Sequence, residues 1–554
     1  MILYLYILKG ATDMANYSIG IDFGTLSARA ILVDVSNGNV LASEEFVYPH
    51  RVLDSTLPDG TELDTNSAYQ HPKDYLDALE YTVKGVMQTS GVCPADVVGL
   101  GIDFTACTML AVDASNTPLC FYDAFRSQPH AYAKLWKHHA AQPEADEINR
   151  LAIENNQEWL GIYGGKISSE WLFPKMLETL HKAPEVFQHT AYFVEAGDWL
   201  TWILTGKQVR SSCMSGFKGM WNKKTGYPAK EFLRKISPEF ENIAETKLAG
   251  AILPTGSKAG TLNEYGCKLT GLLSRTAVAV PIIDAHASLP AAGIAEAGKL
   301  MLILGTSSCQ IILDQEDREV HGISGRVTDG VYPGYVAYES GQAAVGDSFD
   351  WYIKNCVPYS YAEKAKEEGK NIFTYITEKA DALPIGKSGL VALDWWNGNR
   401  VPYADGDLTG GIIGFTLSTR PEEIYRAILE STAFGTKAIC DIYENSGIAI
   451  SEVYASGGIS QKNKFMMQMY ADVLGKPIRV PNISQAGAMG SAIFAAYAGG
   501  IYNSISQAVN TMVNVEETIY IPNLENTKKY APLYRKYLEL SNYFAVENPN
   551  LMKK

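Results

Sequence analysis

A chain of 554 residues is long enough for several packed units, and its 46% hydrophobic and 19% charged composition excludes a disordered or collagen-like polypeptide. A formal charge of −14 argues against general nucleic-acid binding, which needs a basic footprint to replace phosphate counterions. Eight scattered cysteines without any C-x-x-C pair indicate reduced thiols in a cytoplasmic protein, not a zinc cage or disulfide framework.

In chain order, the apolar run Met1–Leu8 lacks the basic start and small-x-small cleavage site of a signal peptide. Residues 1–13 are set aside as an N-terminal extension, disordered or foreign to the native chain. Ser18-Ile-Gly-Ile-Asp22-Phe-Gly24-Thr25 then reads as a strand and a tight turn, followed by a returning strand that closes at Asp34. A helical stretch near Lys73–Gln88 leads into the strand Val97–Ile102, which ends at Asp103. At Leu300 the design begins again: an apolar run, Gly305-Thr306-Ser307, and a second run closing at Asp314. Pro421–Asn445 places Ile424, Ala427, Ile428, Phe434, Ala438, Ile439 and Ile442 at helical spacing, and the strand Glu452–Ala455 follows, ending at Ser456-Gly457-Gly458. Hairpin, helix and strand occurring twice in one order predict an α/β protein of two similar halves around a cleft. The halves are assigned to 14–290 and 291–554. The division falls in the Ala- and Gly-rich stretch 285–300. Ala486–Ile501 is too short to span a bilayer comfortably, so no membrane is expected.

The turns carry the chemistry. Gly24-Thr25 and Gly305-Thr306 each present backbone N–H groups and a hydroxyl, a natural phosphate cradle. Asp22 stands at a strand end where one carboxylate could hold Mg²⁺ together with phosphate oxygens, and Arg29 could add charge to a transferring phosphoryl group. Gly457-Gly458 offers bare backbone for a flat ring, with Asn463 early in the helix that follows.

This ordered set (Asp22-x-Gly-Thr25, Asp284 before an Ala/Gly-rich stretch, Gly305-Thr-Ser, Ser456-Gly-Gly) resembles the FGGY carbohydrate kinases of the actin-like ATPase superfamily, from about Tyr17 to Tyr502. Lys166-Ile-Ser-Ser-Glu-Trp171-Leu-Phe-Pro-Lys175 resembles the family's first signature, and Gly398–Pro402 through Gly410–Thr416 to Arg426–Glu430 the region around its second. The resemblance implies two actin-like (ribonuclease H-like) ATPase domains. It also implies ATP bound through Gly24, Thr25, Arg29, Gly305, Thr306, Gly457, Gly458 and Asn463, with Mg²⁺ at Asp22.

Within that family Gly101–Thr108, Ser215–Trp221 and Leu393–Arg400 are similar to the members that phosphorylate L-ribulose to L-ribulose 5-phosphate in L-arabinose catabolism. Phe104-Thr-Ala-Cys107 replaces the Gln-Met-His-Gly-like turn of other members, which counts against glycerol or xylulose. Other pentuloses, D-ribulose among them, and a sugar-independent ATPase are the alternatives. Asp284 matches the family's catalytic base, which takes the proton of the attacking hydroxyl, and an unshifted pKa of about 4 is expected to keep it ionised. Its competing reading is an N-cap before the Ala-rich helix. His286 is a rival base only if the strand continues through it. If a helix starts at once, the two side chains diverge and His286 serves behind the site. Ala106, Lys218, Asp284 and Glu339 are implied as the sugar pocket: Ala106 by being small, Lys218 as donor and Glu339 as acceptor. Lys218 on the surface and Trp395-Trp396 as packing, not sugar-stacking, are the plainer alternatives. The partners expected are ATP and L-ribulose, with a homodimer left open.

Overall fold

The computed structural model describes residues 16–553, so the extension 1–13 lies outside the described residues. β1 (Tyr17–Phe23) and β2 (Ser27–Asp34) form the first hairpin, closed where Gly24 N–H donates to Ser27 O at 3.0 Å. β3 (Val40–Val47) extends it antiparallel, and α1 (Pro72–Ser90) crosses over to β4 (Val97–Phe104), which runs parallel to β1. Pro72 opens α1, where a missing N–H costs nothing, and Gly91 ends it at φ 67°. After α2 (Ser212–Lys218), the strands β5 (Lys258–Thr261) and β6 (Ala277–Ala279) complete the order β5-β6-β4-β1-β2-β3. The short β7 (Ile282–Ile283) lies beside β4 and hands the chain to α3 (Asp284–Ala291).

The second half repeats this plan. β8 (Lys299–Leu304) and β9 (Ser308–Asp314) are the second hairpin, to which β10 (Gly325–Thr328) and β11 (Val336–Gln342) add antiparallel strands. The 25-residue helix α4 (Pro421–Asn445) leads to β12 (Glu452–Ser456), parallel to β8 as β4 is to β1. α5 (Lys464–Leu474), β13 (Ile478–Pro481), α6 (Ala486–Ala498), α7 (Ile505–Met512) and β14 (Glu517–Tyr520) follow. The sheet order is β10-β11-β9-β8-β12-β13-β14.

Two features were not legible in the sequence. First, the chain returns to the first half after β13: α6 and α7 join the core beneath the first sheet, with Ala488, Ala492, Ile493, Phe494 and Val509 buried against it. Gly20 and Gly101 permit this approach, since a Cβ on either would stand 1.9 Å from Ala488 O and 2.1 Å from Ser491 O. β1 is therefore covered on both faces: Gly20 meets α6, while Ile19, Ile21 and Phe23, which point the other way by the period of a strand, are fully buried, with Phe23 against Tyr75 of α1. Second, the span between β4 and β5, joined by Tyr69–Gln70 from just before α1, holds a separate four-stranded sheet whose other strands are Met109–Val112, Ala133–Lys134 and Tyr192–Glu195. It has its own aromatic core of Trp171, Phe173, Phe187 and Phe240. Its buried Lys134 ammonium donates to Glu178 Oε2 (2.7 Å), Thr179 Oγ1 (2.8 Å) and Lys175 O (2.9 Å), so the charge is fully satisfied.

The halves also meet along α2. Gly216 packs on Val327 of β10, Ser212 Oγ donates to Asp329 O (2.6 Å), and Thr255 Oγ1 donates to Gly330 O (3.0 Å). Among the described residues no helix is long and apolar enough to cross a membrane.

Candidate active site

Parallel pairing of β1 and β4 places Asp22 opposite Asp103, both at the carboxyl edge of the sheet. This edge is where ligands gather in open α/β sheets. Ser491 of α6 donates to Asp103 Oδ2 at 2.7 Å, while Asp103 Oδ1 is buried with no hydrogen-bond partner. The N-terminus of α6 closes the other side: a Cβ on Gly487 would lie 3.0 Å from Asp22 Cγ and 3.1 Å from both Asp22 Oδ2 and Asp103 Oδ1. Burial raises both carboxyls above their usual range, more so for the fully buried Asp103, which also feels the charge of Asp22.

An unpartnered carboxylate oxygen beside a second carboxylate, under the positive end of a helix, is a donor set that fits a hard cation completed by phosphate oxygens. Among the described residues no group of three or more His, Cys, Asp or Glu side chains could hold a metal alone. Asp103 was not singled out in the sequence. Its signal was there, because strands that repeat one plan end on the same edge.

α3 begins at once after β7, with Ile283 as its N-cap and Asp284 as its first helical residue. Asp284 is therefore not the cap. Its Oδ1 accepts the neighbouring Ala285 N–H at 2.7 Å. The unshifted carboxyl expected from the sequence is corrected: burial and the charge of Asp22 push Asp284 up to about 7. A base poised there is better matched to proton transfer near neutral pH than one at 4. Because the helix starts immediately, His286 diverges from Asp284 and is almost fully buried.

Lys218, the last residue of α2, is not on the surface. It is 13% exposed, its ammonium stands 2.6 Å from Glu339 Oε1 on β11, and it lies 5.6 Å from the centre of the Trp171 ring. Glu339 also receives His286 Nε2 on its second oxygen at 2.9 Å. Burial alone would raise Glu339, but Lys218 and His286 outweigh it and hold the carboxyl well below the usual range. Lys218 and Glu339 line a cavity of about 490 Å³ between the halves, together with Tyr163, Trp171, Asn399 and Arg400. Arg400 and Lys166 also line this cavity, and in the sequence they stand inside the two signature-like stretches. Ala106 sits half-buried at the turn after β4, next to Cys107 at φ 57°.

On the nucleotide-type side, Gly305 and Thr306 are exposed at the tip of the second hairpin, and Gly305 N–H donates to Ser307 O at 2.9 Å. In the first hairpin, Trp136 Nε1 donates to Thr25 Oγ1 at 3.1 Å and Gln70 Nε2 to Thr25 O at 2.6 Å, fixing the turn. Gly457 adopts φ 97°, and a Cβ there would stand 2.1 Å from Leu304 O, so only glycine fits. Gly458 has open space above it, the bare surface that a flat ring needs.

Two residues differ from their expected setting. Asn463 is the N-cap of α5, not a residue within it, and its Oδ1 accepts Met466 N–H at 3.0 Å. Arg29 shares the face of Asp22 by register, but its exposed guanidinium is bound to Glu45 at 2.8 Å. Trp395 is 1% exposed in the second core, so it packs and does not stack on a ligand.

Two similar sheets, a buried carboxylate pair at the edge of the first, and an ion-paired cavity between the halves fit the two-domain actin-like ATPase fold of phosphotransferases. Residues 17–289 match the N-terminal domain, and residues 300–499 the C-terminal domain, of the FGGY family of carbohydrate kinases. The chain belongs to that family, and it is a sugar kinase with an alcohol group as acceptor. Curated relatives include the ribulokinase of Geobacillus thermodenitrificans, 48% identical over 544 residues (97% of this chain and 96% of that protein). The ribulokinase of Staphylococcus aureus strain Newman is 41% identical over 540 residues (97% and 98%). Among solved structures, xylulose kinase from Rhodospirillum rubrum superposes with a TM-score of 0.77 at 22% identity, covering 96% of this chain and 99% of that one. Gluconate kinase from Lactobacillus acidophilus gives 0.79 at 19% (97% and 100%). At those identities the structures speak for the fold alone.

Proposed function

We propose that this protein is an ATP- and Mg²⁺-dependent kinase that phosphorylates the 5-hydroxyl of L-ribulose, giving L-ribulose 5-phosphate for L-arabinose catabolism in the cytoplasm. The observation that carries the reading is the placement of Asp284 beside the Asp22–Asp103 edge, with the Lys218–Glu339 pair bridging the halves above α2 and α3. The names of the relatives direct it to ribulose. The working halves are 14–290 and 291–554, with 486–512 of the second packed on the first.

In this reading Lys218 and Glu339 orient the polyol as donor and acceptor, and Ala106 leaves it room. Asp284 accepts the proton of the attacking hydroxyl as the hydroxyl approaches the γ-phosphate in line. The Gly24-Thr25 and Gly305-Thr306 turns cradle the phosphates from opposite walls, and Gly457-Gly458 takes the nucleoside ring. Asp22, with Asp103 beside it, would hold Mg²⁺, which when bound offsets charge on the phosphate oxygens. Arg29 would have to leave Glu45 to serve the phosphates, and Asn463 would contribute through its amide N–H groups, since its oxygen caps α5.

The test is ADP release with ATP-Mg and a panel of pentuloses and pentitols. L-ribulose should give the highest kcat/KM. No release above the sugar-free background would sink the reading, and a preference for D-ribulose or xylulose would move it within the family.

A further inference from the structure

His286 is not part of the proton transfer just described, yet it is held more tightly than a spectator needs to be. Its ring is 1% exposed and lies edge-on to Phe217, with centroids 4.5 Å apart. Both nitrogens are engaged: Nδ1 is 3.1 Å from Cys213 Sγ, and Nε2 is 2.9 Å from Glu339 Oε2. The set continues through Glu339 Oε1 to the Lys218 ammonium at 2.6 Å. Cys213 and Lys218 are the second and the last residues of α2, His286 is in α3, and Glu339 is in β11 of the other half. A single row, thiol–imidazole–carboxylate–ammonium, therefore crosses the seam and ends at the cavity wall.

We infer that His286 is a positioning residue for sugar binding, which fixes the carboxylate of Glu339 at the cavity wall, and that Cys213 sets the imidazole tautomer that makes this possible. A ring nitrogen can either donate or accept in the neutral imidazole, and its partner on the far side decides which. Burial pushes the Cys213 thiol up, so the sulfur keeps its hydrogen, and since the Glu339 carboxylate can only accept, a neutral ring carries its hydrogen on Nε2 and takes the thiol hydrogen at Nδ1. With Lys218 on one oxygen and His286 on the other, Glu339 can neither rotate nor leave, and each oxygen keeps lone-pair capacity for a hydroxyl. The arrangement is that of a metal-ligating imidazole and its outer partner, with an organic carboxylate in place of the metal.

This inference rests on the reading of Lys218 and Glu339 as sugar contacts, so the experiment separates the two. Steady-state kinetics with L-ribulose and ATP would be run on His286→Leu, His286→Gln, Glu339→Gln and the unmodified enzyme. Sugar affinity would be followed by intrinsic tryptophan fluorescence and folding by thermal melts. His286→Leu removes the donor and should raise the sugar KM and Kd roughly 10- to 100-fold, as loss of a hydrogen bond to a charged group does, while kcat and the ATP KM change less than about threefold. His286→Gln restores an N–H near the Nε2 position and should bring sugar affinity back to within about fivefold of the unmodified enzyme.

Equal sugar KM values for Leu and Gln would overturn the inference, as would a loss confined to kcat. If Glu339→Gln raises the sugar KM and His286→Leu does not, the sugar-site reading stands and the positioning role falls. If neither does, both fall. Should His286→Leu fail to fold, Cys213→Ala against Cys213→Ser carries the same contrast: serine keeps a donor for Nδ1, so only alanine should weaken sugar binding, and equal values would overturn it.

Discussion

Asp22 and Asp103 face each other across adjacent parallel strands, and Ser491, brought from more than 380 residues further along the chain, donates its hydroxyl to Asp103. That bond joins α6, already packed on Gly20 and Gly101, to the carboxylate edge of the first sheet. Removing it leaves Asp103 with neither oxygen partnered, since Oδ1 already lacks a partner. Ser491→Ala should cost about 1–3 kcal/mol in urea unfolding, the desolvation penalty of an orphaned buried group. A change below 0.5 kcal/mol would show that the pair is satisfied without the serine.

Asp284→Asn keeps the shape of the base and removes its acceptor lone pair. kcat should fall by roughly 10²–10⁴ while the sugar KM changes much less. Retention of more than about a tenth of kcat, an effect under 1.4 kcal/mol, would move the proton elsewhere.

Asp284 also sets a pH dependence. Its carboxyl is pushed up to about 7, so the free enzyme carries an active base only above that pH. kcat/KM for sugar should rise about tenfold per unit below 7 and level off above it. The stability effect has the opposite sign. The unfolded carboxyl ionises near 3.9, so between roughly 4 and 7 the folded chain binds the extra proton, and stability is lost as pH rises. Asp284→Asn removes that loss, and its melting temperature should exceed that of the unmodified protein at pH 8 but not at pH 4. Equal melting temperatures at pH 8 would refute the raised carboxyl.

Gly457 and Gly458 are adjacent but should respond differently. Gly457→Ala meets Leu304 O and a left-handed backbone, so it should lower the melting temperature and weaken nucleotide together. Gly458→Ala enters open space and should raise the ATP KM with the melting temperature unchanged. A normal ATP KM in Gly458→Ala would place the nucleoside elsewhere.

The two halves carry different parts of the site and meet along α2 and α6, so substrate should draw them together and exclude water. Small-angle scattering with L-ribulose and a non-hydrolysable ATP analogue should give a smaller radius of gyration, and sugar should tighten nucleotide binding reciprocally. An unchanged radius together with sugar-independent nucleotide affinity would rule out closure.

Local pattern determined much of this molecule. Each Gly-Thr hairpin, the helix Pro421–Asn445, and the strands ending at Asp103 and Gly457 were readable because short apolar runs bounded by turn residues leave few alternatives. The repetition of that order predicts the two-sheet plan, residue type marks Asp22 and the two Gly-Thr turns as candidates, and the family resemblance adds Asp284.

Tertiary structure decided whatever depends on contacts between distant residues. Nothing in the sequence marks Gly20 and Gly101 as the contacts of α6, which lies on them in the fold. The base at Asp284 reads as an ordinary carboxylate until burial and Asp22 raise it. For Lys218 the sequence leaves a surface lysine as the competing reading, and only the fold, which brings in Glu339 from 121 residues on, removes it. A sequence carries the period of each element, but it does not carry the desolvation and pairing of a charge. Those depend on which elements stack, and here the stacking follows from a chain that leaves the first half and comes back to it.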